Sequence, residues 1–390
     1  MSTVAREMME PARTANPAAS ASTIALTCQQ VSGADWDAII GSFDEICQEQ
    51  THAFATTRWP DVGQEPIVFQ RGTTVVGGAL VMIQSLPLGL GKIAVIKWAP
   101  MLAASDTADA ETLRTAMVDC LFRDYAEKRG MMLSVLLHAS PSQTNAGYLA
   151  LRQRGFQRGS TLLFPNRYLV RLRLSDDELR KSFHQTWRRQ LNKAEKANLE
   201  FFRAEPSEIE DFKALYAAMT ERKQFPDHSA YETLDVLMGL DEPLRPELFF
   251  VRHEGEIVAG ALIFKAGQRA VYLYGATNDK ALPLRAGYFL HWQVIRWLRD
   301  NTRAEWYDLG GTDGFQGLHQ FKSGMVGTAG VIRPVPPVLN RTISPWAGLL
   351  GNAAFAARDL LQHTRRHLDG LRSSKARPDQ APHVWDESFR

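Results

Sequence analysis

Glu305–Gly327, with the sequence EWYDLGGTDGFQGLHQFKSGMVG, is the most informative stretch of this chain. It predicts a buried strand at Trp306–Leu309, a turn at two consecutive glycines, and a short helical segment carrying Phe321 and Lys322. A carboxylate at a strand end, a glycine turn that lets main chain approach a ligand, and a lysine about a dozen residues later are typical of a functional site. We therefore predict a site here, with Asp308 and Lys322 as its opposite charges.

The same stretch resembles the FemABX-type family of peptidoglycan-bridge aminoacyltransferases, which reads Y-D-x-G-G, then G-L-x-x-F-K, then F-G. The matching positions are Tyr307, Asp308, Gly310, Gly311, Gly317, Leu318, Phe321 and Lys322, whereas Met325 and Val326 stand where the family has Phe-Gly. The resemblance implies two N-acetyltransferase-like (GNAT-like) domains side by side, with the acceptor site in a cleft between and beneath them.

Composition sets broad limits on the class of protein. The 390 residues suit two domains of ordinary size, and 45% hydrophobic with 23% charged residues is a soluble globular composition. A net charge of +2 neither demands nor excludes an anionic partner, and no DNA partner is expected. The cysteines, Cys28, Cys47 and Cys120, are odd in number and lack metal spacing, which predicts free thiols in a reducing cytoplasm.

The order of predicted elements divides the chain into four parts. Residues 1–24 contain no secretory signal and are predicted to be a disordered leader. Residues 25–174 alternate strands and helices, and the order restarts over 175–335 after a capping box at Ser175, so we predict an α/β fold of two tandem GNAT-like domains with mixed sheets. Residues 336–390 are predicted to form a C-terminal helix and tail.

A continuous basic helix is predicted from Ser175 to about Ala197. Arg188 and Lys193 lie on its charged face, where Fem-type sequences have an R-x-x-x-R/K-x-A-x-K-x-G pattern. This face is either an anion surface for a phosphate-bearing substrate or RNA, or simply a solvated face.

Arg222 is the candidate phosphate ligand. It belongs to TERKQF, Thr220–Phe225, and Fem-type sequences are similar, with T-x-R-x-x-F here. The resemblance implies contact with the diphosphate of a nucleotide-linked muropeptide, a task that suits the planar fork of arginine. The alternative is a cation that compensates the dipole at a helix C-terminus.

Tyr272 and Tyr274 are candidates for a substrate groove. Alternation along the strand VYLYGAT predicts that both point to one face. The Fem family has a tyrosine-rich strand here that meets its substrate, whereas core packing is the alternative.

Lys322 is the candidate catalytic residue. Attack of an amine on an activated carbonyl builds charge on the carbonyl oxygen, which a fixed cation stabilises, and the resemblance assigns a comparable role to this lysine. Asp308 is expected to orient Lys322, to bind the incoming amine, or to cap the turn at Gly310 and Gly311. His319, one turn before Lys322, is predicted to be a packing or surface residue.

The expected donor is aminoacyl-tRNA, and no bound cofactor is expected. The place of the CoA pyrophosphate loop, Leu282–Trp292, has Arg285 and Gly287 but not the full R/Q-x-x-G-x-G/A pattern, although acyl-CoA stays open. The acceptor is expected to be a phosphate-bearing cell-envelope precursor. It is either peptidoglycan-like or exopolysaccharide-related, because Lys97–Leu102 lacks the family's Y-x-P-x-G-P motif.

The C-terminal segment is predicted to be helical over Pro345–Leu371. It is expected either to pack on the second domain or to contact a membrane surface, since Arg365, Arg366 and Arg372 follow an apolar stripe. His363 and His367 have metal spacing without a third ligand, so no metal is expected. We expect a cytoplasmic protein, peripheral at the inner face of the membrane if this helix binds lipid.

Together these features predict a FemAB-like enzyme that transfers an aminoacyl or other acyl group to an amine of an envelope precursor. Two alternatives stay open: an acyl-CoA-dependent N-acetyltransferase, and a non-catalytic GNAT-like scaffold in polysaccharide synthesis.

Overall fold

The computed structural model describes residues 25–223 and 230–372. The predicted leader, the Phe225 position of the T-x-R-x-x-F pattern and the last eighteen residues lie outside this part of the chain. The side chains of residues 223, 362, 363 and 365–372, which include both histidines of the metal spacing, also lie outside it.

Strands and helices alternate through both halves of the described chain. The strands are β1 (Thr27–Gln30), β2 (Gly63–Arg71), β3 (Thr74–Ser85), β4 (Lys92–Lys97), β5 (Met101–Leu102), β6 (Met132–Leu136), β7 (Gln157–Arg158), β8 (Asn166–Arg171), β9 (Glu200–Ala204), β10 (Glu247–His253), β11 (Glu256–Phe264), β12 (Arg269–Thr277), β13 (Trp306–Asp308), β14 (Val331–Pro334) and β15 (Leu339–Arg341). The helices are α1 (Gly33–Ile40), α2 (His52–Arg58), α3 (Ala110–Leu121, continued by a π-helical segment, Phe122–Lys128), α4 (Ala146–Gln153), α5 (Asp176–Ser182), α6 (Gln185–Ala194), α7 (Ile209–Lys223), α8 (Leu234–Met238), α9 (Ala281–Leu284), α10 (Ala286–Asn301), α11 (Gln316–Val326) and α12 (Pro345–Arg372).

Two mixed sheets confirm the predicted fold class. The first has the order β1-β2-β3-β4-β6-β15-β7, with β5 paired to β3, and the second has the order β14-β8-β13-β12-β11-β10-β9. Each sheet contains one parallel pair among antiparallel neighbours, β4 with β6 and β12 with β13. The segment between Leu199 and Pro206 forms the edge strand β9, which pairs with β10.

The predicted boundary near residue 174 does not coincide with the division between the sheets. Strand β8 precedes that boundary but lies between β13 and β14 of the second sheet, and its Tyr168 and Val170 are buried in the second core. The chain later returns to the first sheet through β15. Sequence pattern specifies which side chains of a strand are buried, but not which sheet supplies its neighbours.

The predicted continuous basic helix is broken between α5 and α6. Phe183 has extended backbone angles and is buried, and the His184 N–H donates to the carbonyl of Gly324. The predicted capping box at Ser175 and the left-handed backbone at Asn198 are both present. Burial of Phe183 against the second core therefore overrides the helical periodicity of the sequence.

The C-terminal helix packs on the first sheet, not on the second domain as one expectation had it. It contacts β4 and β6, and Gly351 lies directly over the side chain of Met132. The physical reason is that β15, just before α12, returns the chain to the first sheet beside β6. Within the described residues, no helix combines the length and the apolar character needed to cross a membrane.

Candidate active site

The candidate site lies where β12 and β13 part. These parallel strands pair for only three residues, ending at Val271 and Asp308. Beyond that point β12 continues toward Thr277. The segment that follows β13 instead turns through Gly310, which has a left-handed φ of 73°. Only glycine adopts such a backbone without strain, so the turn brings bare main chain to the mouth of the gap.

Lys322 reaches this turn from α11. Its Nζ donates to the carbonyl of Leu309 at 2.6 Å and to the carbonyl of Gly311, and the side chain is buried. Burial lowers the pKa of Lys322 to about 8, because desolvation disfavours the charged form. An ammonium group has three donors, so one N–H remains for a ligand in the gap.

Asp308 caps the turn, which was one of the three roles predicted for it. One carboxylate oxygen accepts from the Gly310 N–H at 2.8 Å. The other lies 3.4 Å from Arg167 Nε and 3.7 Å from an Arg269 terminal nitrogen. Asp308 is thus held between two arginines, and no ion pair joins it to Lys322 among the described residues.

The arginines connect Asp308 to the first domain, and sequence reasoning missed both. Arg269 donates to the carbonyl of Ala139 at 3.0 Å, and the Arg167 guanidinium lies 5.7 Å from the Trp98 ring centre. Trp98 in turn stacks on His138, with ring centres 4.8 Å apart. Burial, followed by the charge of Arg269, holds the pKa of His138 well below its usual value. The positive charge of this face of the site therefore comes from the two arginines and not from His138.

Aromatic side chains line the gap beside Lys322. Phe321 lies 5.0 Å from Tyr288 and 5.5 Å from His291, and His291 lies 4.9 Å from Tyr272, between ring centres. Burial, together with the charge of Lys322, lowers the pKa of His291 to about 3, and burial raises the pKa of Tyr272 to about 12. Both groups are therefore neutral near pH 7, which leaves Lys322 as the charged member of this lining.

Tyr272 and Tyr274 point to opposite faces, so the prediction that they share one face was wrong. Tyr274 is paired with Leu262 and Tyr272 with Ile263, which makes Leu273 the extra residue of a β-bulge. Tyr272 packs on the second core beside His291. Tyr274 instead donates to the carbonyl of Ala230 at 2.6 Å on the other side of the sheet.

Arg222 lies well away from Lys322. It forms an ion pair with Asp279 and donates to the carbonyl of Thr277 at the far end of β12. Six residues of strand separate Val271 from Thr277, or about 20 Å at 3.3 Å per residue. Arg222 and Lys322 therefore lie in different parts of the second domain, Arg222 beside the end of β12 and Lys322 beside the turn after β13.

The predicted basic surface lies on α6. Arg188 donates to the carbonyl of Lys181 at 2.6 Å and is half-buried, whereas Lys193 is exposed. His319 bonds to the hydroxyl of the buried Tyr168 at 2.6 Å, which is consistent with the packing role predicted for it. The roles of Arg188 and Lys193 in binding stay predictions.

Comparison with known proteins shows which domains and folds this chain resembles. The model for the Acetyltransferase (GNAT) domain matches residues 181–323. A lipid II:glycine glycyltransferase of Staphylococcus saprophyticus is 30% identical over 121 residues, which cover 30% of this chain and 28% of that relative. The crystal structure of FemX aligns with a TM-score of 0.66 over 81% of this chain and 97% of FemX, at 16% identity. This chain therefore has a FemX-like fold, and residues 181–323 of it resemble a GNAT domain.

A second solved structure supports the fold. L-PGS from Bacillus licheniformis aligns with a TM-score of 0.52 over 83% of this chain and 97% of its own, at 12% identity. The curated relative is matched over less than a third of its length. These likenesses show the fold of this protein, and its activity has to be inferred from the site.

The start of α10, where acetyltransferases have their CoA pyrophosphate loop, departs from the usual CoA-binding turn. Helix α10 begins at Ala286 directly after Arg285, which has a left-handed φ of 59°. Gly287 faces open space, but Tyr288 follows and contacts Phe321. The start of a helix is generally suited to meet an anion, but at the start of α10 the Tyr288 N–H already donates to the carbonyl of Arg285. The glycine-rich loop that would wrap a pyrophosphate is also incomplete in the sequence.

Proposed function

We propose that this protein is an acyltransferase that moves an aminoacyl group onto an amine of a cell-envelope precursor, forming an amide. The observation that carries the proposal is Lys322, a buried ammonium group held by the carbonyls of Leu309 and Gly311 at the gap between two parallel strands. A fixed cation in a partly dry site is suited to the negative charge that develops on a carbonyl oxygen during acyl transfer.

The reaction follows from that geometry. The acceptor amine attacks the donor carbonyl, and the free N–H and positive charge of Lys322 stabilise the resulting oxyanion. The intermediate collapses as the C–O bond of an aminoacyl ester breaks, and the leaving oxygen takes the proton that the amine loses. The aromatic lining formed by Tyr272, Tyr288, His291 and Phe321 limits the access of water, which would otherwise hydrolyse the donor.

An elongated, phosphate-bearing acceptor suits the spacing of the candidate residues. Arg222 would contact a phosphate of such a precursor, and the amine of the precursor would reach Lys322. The name of the staphylococcal relative supports a lipid II-like precursor. For the donor we propose aminoacyl-tRNA, whose phosphates the exposed Lys193 and the half-buried Arg188 would contact. The reaction would take place in the cytoplasm, where these substrates occur, with the protein near the inner face of the membrane.

An acyl-CoA-dependent N-acyltransferase is the second candidate. The match to the Acetyltransferase (GNAT) domain favours it, and α10 presents its N-terminus beside the aromatic lining. The incomplete loop at Arg285 and Gly287 counts against it. A non-catalytic scaffold would not require a buried ammonium group beside the glycine turn.

A transfer assay with purified protein tests the proposal. Labelled aminoacyl-tRNA pools and labelled acetyl-CoA are offered in parallel, each with an extract of envelope precursors. Lys322→Met is compared with Lys280→Met, because Lys280 is an exposed lysine, 64% accessible, that pairs with Glu256. We expect label to move from tRNA to a precursor at a rate lowered about 10²-fold by Lys322→Met, the size of effect typical of one oxyanion donor.

The outcomes separate the candidates. Unchanged transfer in Lys322→Met, with the Lys280→Met control also active, would remove Lys322 from the mechanism. Label from acetyl-CoA alone would identify a CoA-dependent enzyme. Precursor binding without any transfer would favour the scaffold. Circular dichroism of both variants checks that loss of activity does not reflect unfolding.

A further inference from the structure

The exposed face of α12 is apolar over about five turns. One exposed stripe of the helix has residues that recur three and four positions apart, namely Trp346, Leu349, Ala353, Ala356, Ala357, Leu360, Leu361 and Thr364, and the exposed Asn352 and Arg358 flank this stripe. Trp346, Leu349 and Leu360 are 63%, 61% and 69% exposed. A surface helix normally turns its charged side to water, so this arrangement is inverted.

The opposite face of α12 already makes the contacts that fix the helix on the protein. Gly351 lies over Met132, and Phe355 packs on the small cluster that contains Trp98 and Val338. Arg358 bonds to the hydroxyl of Ser160 at 3.1 Å. The exposed apolar stripe therefore contributes nothing to docking the helix, and its composition calls for another partner.

A second apolar projection begins close to the same part of the molecule. The turn between β3 and β4 holds Leu88, which is 95% exposed, and Leu90, which is 46% exposed. The turn leads through the exposed Lys92 into Ile93, and Ile93 pairs with Met132, the residue beneath Gly351. The leucines of this turn thus lie a few residues from the docking point of α12.

Charge decides which partner fits. Between Leu361 and Pro378 the sequence is rich in positive charge, with Arg365, Arg366, Arg372, Lys375 and Arg377 against the single acid Asp369, and the acids Asp379, Asp386 and Glu387 follow nearer the end of the sequence. An apolar stripe continued by cationic residues matches the boundary of an anionic bilayer. In a parallel two-fold pairing of two copies of this helix, the same charges would repel each other. We propose that α12 and the Leu88 turn attach this protein to the surface of an anionic membrane.

Vesicle binding tests this surface directly. The full-length protein is cosedimented with vesicles of phosphatidylglycerol and phosphatidylcholine, and with pure phosphatidylcholine, at low and high salt. We expect binding to the anionic vesicles that weakens with salt, and a loss of about tenfold or more in Leu349→Ser/Leu360→Ser. Leu88→Ser/Leu90→Ser should weaken binding separately. Leu282→Ser is the matched control, because Leu282 is 60% exposed on the second domain.

Two results would overturn the proposal. One is equal affinity of the wild-type protein and the α12 double variant for anionic vesicles, or no binding by either. The other is a concentration-dependent dimer that the double variant abolishes, which would assign the stripe to a second copy of the chain. The assay contains neither donor nor acceptor, so its failure and a failure of the proposed transfer reaction are distinguishable.

Discussion

Lys322 shows how a single residue can be both buried and charged. Burial lowers its pKa to about 8, and the neighbouring carboxylate of Asp313 opposes that shift while Arg167 adds to it. The balance leaves Lys322 mostly protonated near pH 7 but close enough to its pKa to titrate in a mildly alkaline solution. The proposed role in stabilising an oxyanion needs the protonated form.

The rate of transfer should therefore fall as the pH rises above about 8. The rate falls with rising pH because the charged form of Lys322 is present below its folded-state pKa and lost above it. Turnover at saturating substrate, measured from pH 6.5 to 9.5, should show this alkaline decline. In Lys322→Arg the decline should disappear, even if the overall rate is lower, because arginine stays charged throughout this range.

The control for this profile is Lys280→Arg, an exposed position that should keep the decline. An alkaline decline that persists unchanged in Lys322→Arg would assign the titrating group to another residue or to the substrate amine.

At the scale of one element, the packing within strand β12 determines where Tyr272 of the candidate site lies. Its bulge at Leu273 turns Tyr272 toward the gap, with the hydroxyl of Tyr272 above Gly275. A Cβ at position 275 would lie 1.6 Å from that hydroxyl oxygen. The absence of a side chain at Gly275 is thus what allows Tyr272 to occupy the gap.

Gly275→Ala should destabilise the protein by about 1–3 kcal/mol, the usual cost of overpacking, and should lower transfer activity by displacing Tyr272. Chemical denaturation measures the free energy of unfolding. The effect should shrink in a Tyr272→Leu background, since the clashing hydroxyl is then absent. Gly287→Ala, which adds a methyl group in open space at the start of α10, should be close to neutral. Equal costs in both backgrounds would contradict the argument.

Local patterns predicted the elements of this site better than their arrangement. The strand at Trp306–Asp308, the turn at Gly310 and the cap formed by Asp308 were all accessible from spacing and residue type. The bulge at Leu273 could not be predicted from these patterns. One extra residue in the strand moves the side chains that follow it to the opposite face of the sheet, and no residue type in this strand marks that position.

The arginines around Asp308 illustrate a second limit of prediction from a single sequence. Arg167 and Arg269 are separated from Asp308 by many residues, and no motif contains them. They converge only because β8 and β12 flank β13 in the second sheet. Pairing between distant strands is set by tertiary packing, which a single sequence does not reveal, and the same reason made the predicted boundary at residue 174 differ from the division between sheets.

At the scale of the whole molecule, the two domains share packing. The largest apolar cluster joins residues of the first half to Leu244, Phe264, Ala266 and Val271 of the second half. A continuous core of this kind makes separate unfolding of the two domains unfavourable. We therefore expect a single cooperative unfolding transition.

Arg303 adds hydrogen bonds between the two domains. It donates to a carboxylate oxygen of Asp44 at 2.8 Å and to the carbonyls of Ser42 and Phe43 at 2.8 and 2.7 Å. Asp44 also accepts from the Ser105 N–H at 2.8 Å, so the guanidinium completes a network at the domain junction. Because the Arg303 side chain is 47% exposed, water would replace part of the hydrogen bonding that is lost when this side chain is removed.

Arg303→Ala should lower the free energy of unfolding by about 1–2 kcal/mol and shift one shared transition to lower temperature. Scanning calorimetry should show a single peak in both proteins, since the shared apolar core still couples the domains. Arg71→Ala provides the comparison, because Arg71 forms an exposed ion pair with Asp109 within the first domain and should cost less than about 1 kcal/mol. Two separate peaks in Arg303→Ala, with one unmoved, would instead show that this arginine, and not the core, holds the domains together.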